Sequence, residues 1–216
     1  MAWQKVAARL PQLVVGLTLY GLSGALLVRA RLGLDPWDVL HQGIARHSGL
    51  AIGTVVIVVG AVVLLGWIPL RQRPGIGTVA NVVLIGVSMN VALQLLPAEH
   101  GLPWRLASMA GGVALCGVAT GMYIGANLGP GPRDGVMTGL ARRTGLSIRL
   151  TRTALEVTVL VSGWLLGGTV GLGTVVFALG IGPLAQIFLP VFDRDAREHR
   201  LARPRVLADV AEPAAC

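Results

Sequence analysis

Four stretches of this chain, Leu10 to Val28, Ser48 to Leu70, Pro74 to Ala98 and Leu106 to Pro132, contain no Asp, Glu, Lys or Arg. At about 1.5 Å of rise per helical residue each is long enough to cross a hydrocarbon layer of roughly 30 Å. A fifth stretch, Leu150 to Phe192, carries Arg152 and Glu156 near its start and is uncharged thereafter. It is about twice the length one crossing needs, and Gly167, Gly168, Gly171 and Gly173 interrupt it, so it reads as a hairpin of two helices. The spacing therefore predicts an all-α membrane bundle of six transmembrane helices. The composition agrees: 54% hydrophobic and 13% charged residues, with a mean hydropathy of +0.72, lie beyond the usual soluble range. The first run lacks an A-x-A-like cleavage site, so it is expected to be a retained helix.

The net charge of +8 points to topology and not to nucleic acid, because the basic residues are scattered between apolar runs and form no patch. With both termini inside, the inner segments hold Lys5, Arg9, Arg71, Arg73, Arg133, Arg142, Arg143, Arg149, Arg152 and five tail arginines, against Arg29, Arg31, Arg46 and Arg105 outside. This asymmetry predicts a bacterial cytoplasmic (inner) membrane protein with both termini cytoplasmic. The polar, Arg-rich segment 193–216 is expected to be a mostly disordered cytoplasmic tail, and Arg29 is expected to reach the lipid headgroups.

A shift of 96 positions superimposes one half of the chain on the other without a gap. Leu32, Gly33, Pro36 and Asp38 fall on Leu128, Gly129, Pro132 and Asp134; Gly43, Ala45, Arg46 and Gly49 fall on Gly139, Ala141, Arg142 and Gly145; Gly75, Gly77 and Thr78 fall on Gly171, Gly173 and Thr174. Matches at Pro, Asp, Arg and Gly do not arise from shared apolar composition. We read two three-span repeats, 1–98 and 99–192, each with one short helix, Pro36 to Ser48 or Pro132 to Thr144, that is interfacial or re-entrant. Three crossings per repeat place the second repeat upside down relative to the first, the plan of many secondary transporters.

The segments LGLDPWDVLHQGIARHSGLAIG and GIGTVANVVLIG, echoed by LGPGPRDGVMTGLARRTGLSI and GLGTVVFALGIG, resemble the YczE/YyaS/YitT-like group of bacterial integral membrane proteins over about Gly16 to Pro190. The resemblance implies a loose link to transport or to accessory roles at the membrane, and it carries over no catalytic residues. Within it the two copies depart where Trp37 of the first is Arg133 in the second.

Several residues are candidates for function. Asp38 and Asp134 lie in the first turn of each short helix, where a carboxylate favours the helix dipole. As gate or coupling groups they would stand near opposite mouths of a pathway, with Glu156 a third candidate or the partner of Arg152 four residues away. The amides Asn90, Gln186, Asn81 and Gln94 are candidates for lining the pathway or for joining helices, and positions 90 and 186 match under the repeat. Gly75, Gly77, Thr78, Gly171, Gly173 and Thr174 open two helices and form a candidate solute site at their unpaired N–H groups. Gly117, Gly121 and Gly125 share one helix face, expected to pack the fourth span on the first, where Gly16, Gly21, Gly24 and Ala25 lie.

An enzyme is not expected. There is no HExxH, GxSxG or P-loop, and His41, His47, His100 and His199, with Cys116 and Cys216, have no metal-ligand spacing. No cofactor or metal is expected. The function anticipated is a small-solute permease or exporter working by alternating access. The alternative is an accessory or regulatory membrane protein acting through its cytoplasmic loops and tail, with a second copy or another membrane protein as partner.

Overall fold

The structure, a computed structural model, describes residues 2–97 and 101–195. The predicted tail beyond Asp195, with His199 and Cys216, lies outside the described residues, as does His100. Among the described residues the chain forms nine helices and no strand: α1 (Ala2–Ala30), α2 (Pro36–Ser48), α3 (Ile52–Leu65), α4 (Trp67–Leu70), α5 (Ile76–Leu95), α6 (Leu102–Gly125), α7 (Pro132–Thr144), α8 (Ile148–Leu165) and α9 (Leu172–Phe192).

Among the described residues five segments are long and apolar enough to cross a membrane: Val6–Ala30, Ile52–Leu70, Ile76–Leu95, Leu102–Gly125 and Leu172–Phe192. The fifth apolar stretch divides into two helices, broken between Leu165 and Leu172; they pack on different partners, α8 on α2 and α9 on α6. The stretch's first helix, α8, is less apolar than the others because it carries Arg149, Arg152 and Glu156. Large apolar side chains such as Val62, Leu65, Leu165, Leu179 and Ile187 are more than half accessible, a surface suited to lipid and not to water.

The long helices α1 and α6 lie against each other; α5 packs on α1, and α9 on α6. Small residues set these distances. A Cβ at Gly16 would stand 2.9 Å from Met122 Cβ and the Tyr123 nitrogen, and one at Gly112 would meet Leu27. The Gly117, Gly121 and Gly125 face was expected to receive α1. It receives α9 instead: Leu184, Phe188 and Phe192 fill the space a Cβ would need. Matching that, Gly21 of α1 faces Ser88 and Met89 of α5.

The two halves are sewn together by two seams of the same design. The N–H of Gly77 donates to Leu128 O at 2.9 Å, and the N–H of Gly173 donates to Leu32 O at 2.7 Å. Each seam needs a close approach by a glycine with positive φ, Gly129 at 129° and Gly33 at 117°, a conformation from which side chains are largely barred. A Cβ at Gly33 would lie 2.7 Å from Gly171 N and Thr174 Oγ1.

The short helices α2 and α7 have matching ends. Their N-caps, Asp35 and Gly131, both have φ −63° and ψ 158°, and their C-caps, Gly49 and Gly145, have φ 70° and 72°. Pro at the first helical position suits this geometry because its missing N–H would be unpaired anyway. Each short helix is wedged by a complementary size pair. Trp67 lies over Gly135 and donates from Nε1 to Pro132 O at 2.9 Å, while on the other side Gly163 lies against Val39 and Leu40.

Candidate functional site

The first turns of α2 and α7 meet over a cavity of about 370 Å³ walled by every helix except α4. At its polar end the Arg133 guanidinium stacks on the Trp37 ring, 4.8 Å from the centroid, and stands 3.9 Å from Asp35 Oδ1. Arg133 and Trp37 are the equivalent positions of the two repeats, so the site forms where the matching segments face each other. Tyr20 and Tyr123, edge to face with centroids 6.0 Å apart, lie beside them. Val56, Val82, Leu155, Phe177 and Ile181 are among the apolar residues of the remaining wall. Arg133 keeps 29% of its side chain accessible, although the fold encloses it; that accessible part faces the cavity.

Asp35 and Asp38 are buried together at the start of α2. Asp35 Oδ1 accepts from the N–H of Trp37 at 2.9 Å and of Asp38 at 3.0 Å, satisfying two of the helix's free donors. Asp38 Oδ1 is 2.9 Å from His41 Nδ1. Burial, with the neighbouring Asp38 carboxylate, pushes the Asp35 carboxyl up to about 7, and burial raises Asp38 as well, against the pull of Arg133. Burial and then Arg133 lower His41 to about 3, so the imidazole is neutral. Its Nδ1 is engaged by Asp38, and Nε2 is the ring nitrogen left without a partner among the described residues. Asp134 accepts from the Tyr123 hydroxyl at 3.3 Å, and burial raises its carboxyl.

The predicted candidates divide sharply. Asp134, Glu156, Asn81 and Gln186 line the cavity. Asp38 stands one residue behind it, holding His41. The expectation that Asp38 and Asp134 occupy opposite mouths is corrected: both belong to one central cluster around Arg133, because the short helices converge at their N-termini. Glu156 pairs with Arg152, Oε1 to Nε 2.9 Å, at the cavity's rim. Asn90 does not reach the cavity; it accepts from the N–H of Gly53 at 2.9 Å and donates to Thr54 Oγ1 at 3.2 Å, joining α5 to α3. Gln94 is exposed near the end of α5.

At the glycine-rich helix starts the N–H groups of the six candidate residues are taken within the fold and are not available to a solute. At Gly75, Gly77 and Thr78 the N–H groups go to Thr78 Oγ1, Leu128 O and Gly75 O. At Gly171, Gly173 and Thr174 they go to Thr174 Oγ1, Leu32 O and Gly171 O. Arg29 donates to Leu93 O instead of reaching out to headgroups. The residues missed in the sequence are Arg133, Trp37, His41, Tyr20 and Tyr123. The departure of Arg133 from Trp37 between the repeats was the signal for the first two; the others carry no mark in the sequence.

The comparisons with known proteins agree on kinship. An uncharacterized protein of Haemophilus influenzae is 40% identical over 182 residues, covering 84% of each chain. The uncharacterized membrane protein YczE of Bacillus subtilis is 33% identical over 190 residues, covering 87% of this chain and 88% of the relative. YyaS of the same organism is 24% identical over 187 residues, covering 83% and 92%. No solved structure matches. With residues 7–190 matching the family of unknown function DUF6198, and YczE and YyaS among the relatives, the chain belongs to that family of membrane proteins.

Proposed function

We propose that this protein is a small-solute permease or exporter of the bacterial inner membrane, in which two inverted three-span repeats, 1–98 and 99–192, alternate access to the central cavity. α8 is the sixth crossing, the counterpart of the Ile52–Leu70 segment at the same offset, with its charges toward the cytoplasmic end. The observation that carries the reading is the cavity itself. Ionisable groups enclosed in a membrane bundle are costly and mark solute or ion paths, and here Arg133, Asp35 and Asp134 come from the matching short helices of both repeats. The reciprocal seams at Gly77 and Gly173 support a two-fold arrangement able to rock about its centre.

The test compares solute uptake and efflux in a deletion strain with the same strain carrying the gene or its Arg133→Gln variant. The reading expects a transport difference restored by the wild-type gene and not by the variant. Equal restoration by both would turn the account toward an accessory role.

A further inference from the structure

The two short helices start with the same backbone but not the same chemistry. In α2 the carboxylate of Asp35 occupies the N-cap and accepts from the N–H groups of residues 37 and 38. In α7 the N-cap is Gly131, and the corresponding N–H groups of Arg133 and Asp134 have no acceptor among the described residues. The place where an N-cap side chain would project is neither empty of chemistry nor blocked by backbone. A Cβ built on Gly131 lies 3.5 Å from Asn81 Nδ2, 3.7 Å from the Tyr123 hydroxyl and 3.0 Å from Asp134 Oδ2.

Other polar groups that line the same cavity lack hydrogen-bond partners among the described residues. The Arg133 guanidinium makes no hydrogen bond among the described residues; its neighbours are the Trp37 ring and, at 3.9 Å, Asp35. The Asn81 amide likewise has none. His41, 2% accessible and lining the cavity, spends Nδ1 on Asp38 and leaves Nε2 without a partner.

We propose that the cavity binds a small organic acid, its carboxylate taking at the start of α7 the position that the Asp35 carboxylate takes at the start of α2. This names the solute class for the cavity and rests on the permease reading above. The carboxylate would accept from the N–H groups of Arg133 and Asp134, from the guanidinium fork and from Asn81 Nδ2, donors that suit a planar anion at a helix N-terminus. The apolar body of the acid lies along Val56, Val82, Phe177 and Ile181, and His41 Nε2 is placed to hydrogen-bond a second polar group of the acid. The cavity lies within the size range of small-molecule sites. Asp35 and Asp134 line the same cavity, with Asp38 behind it; burial raises all three carboxyls, which lessens their repulsion of the anion.

The test measures calorimetric binding to the purified full chain in detergent, using the straight-chain acids from acetate to octanoate, benzoate, leucine, and the amides of pentanoate and benzoate. At least one acid is expected to bind tenfold or more tightly than its amide, and leucine distinguishes an amino acid from a simple acid. Gly131→Asp places a tethered carboxylate in the site; it should weaken acid binding at least tenfold while the melting temperature holds or rises. Arg133→Gln and Asn81→Ala keep the question open should that variant fail to fold, and each should weaken binding severalfold. Equal affinity for acid and amide, undiminished binding by folded Gly131→Asp or by Arg133→Gln, or no binding of any acid would overturn the proposal. Proteoliposomes separate the two claims. Selective acid binding without flux would leave the site standing and remove the permease reading, whereas flux of an amine or sugar undisturbed by Gly131→Asp would do the reverse.

Discussion

Asp35 and Gly131 occupy matching positions, and their difference sets the character of the cavity. One half supplies its own anion to a helix start and the other leaves the donors bare. Near the Asp35 carboxyl stand Asp38 and His41 on its own helix, Arg133 on α7, Tyr20 on α1 and Cys116 on α6. Its folded-state value of about 7 stands above the ordinary 3.8, so its contribution to stability is full below about 4 and is lost as pH rises through about 7. Wild-type protein should therefore melt at a lower temperature at pH 8 than at pH 6, and Asp35→Asn should shrink that difference; an unchanged difference would place the titration elsewhere. Of these residues the sequence exposed Asp38 and Asp134 through their symmetry, and Asn81 and Gln186 through their polarity in apolar runs. Asn90 was equally conspicuous, yet its amide serves Gly53 and Thr54. An amide in a membrane helix looks the same in sequence whether it faces a cavity or a neighbouring backbone.

Between elements, separation is governed by glycine. The stripe Gly117, Gly121, Gly125 was legible as a close-contact face from its spacing, but its partner was not: spacing reveals that a face is flat, and only tertiary structure reveals that α9 covers it. Leucine at Gly121 would drive its Cβ to 2.8 Å from the carbonyl carbon and Cβ of Phe188, and backbone cannot yield as a side-chain tip can. Gly121→Leu should lower the melting temperature in detergent by several degrees, a loss of about 1–3 kcal/mol for an overpacked contact, while leucine at the open Gly111 should be tolerated. Similar mild effects at both positions would contradict the α6–α9 contact. The glycine-rich starts of α5 and α9 were read in the sequence as sites with donors to spare. Their acceptors, Leu128 O and Leu32 O, come from the opposite half, at a sequence distance that no local pattern spans.

At the scale of the whole molecule, the all-helical membrane character was the most legible feature and the number of crossings the least. Arg149, Arg152 and Glu156 make α8 look amphipathic, while its register against the Ile52–Leu70 segment argues for a span. Single cysteines in place of Thr144 and Val170, both exposed beyond the ends of α8, should label from opposite faces of the membrane in a background of Cys116→Ser and Cys216→Ser. Labelling from the same face would contradict the proposed sixth crossing and, with it, the proposed inversion of the halves.

Alternating access itself makes a stricter demand, that a cavity position be reachable from each side in turn. A single cysteine replacing Val59 on the cavity wall, in the same background, can be challenged with a membrane-impermeant thiol reagent in right-side-out and in inside-out vesicles. The account predicts reaction in both preparations, with prior saturation by a bound organic acid slowing both. Reaction from one side only, or from neither, with the folded protein otherwise intact, would contradict a cavity that opens alternately to the two faces of the membrane.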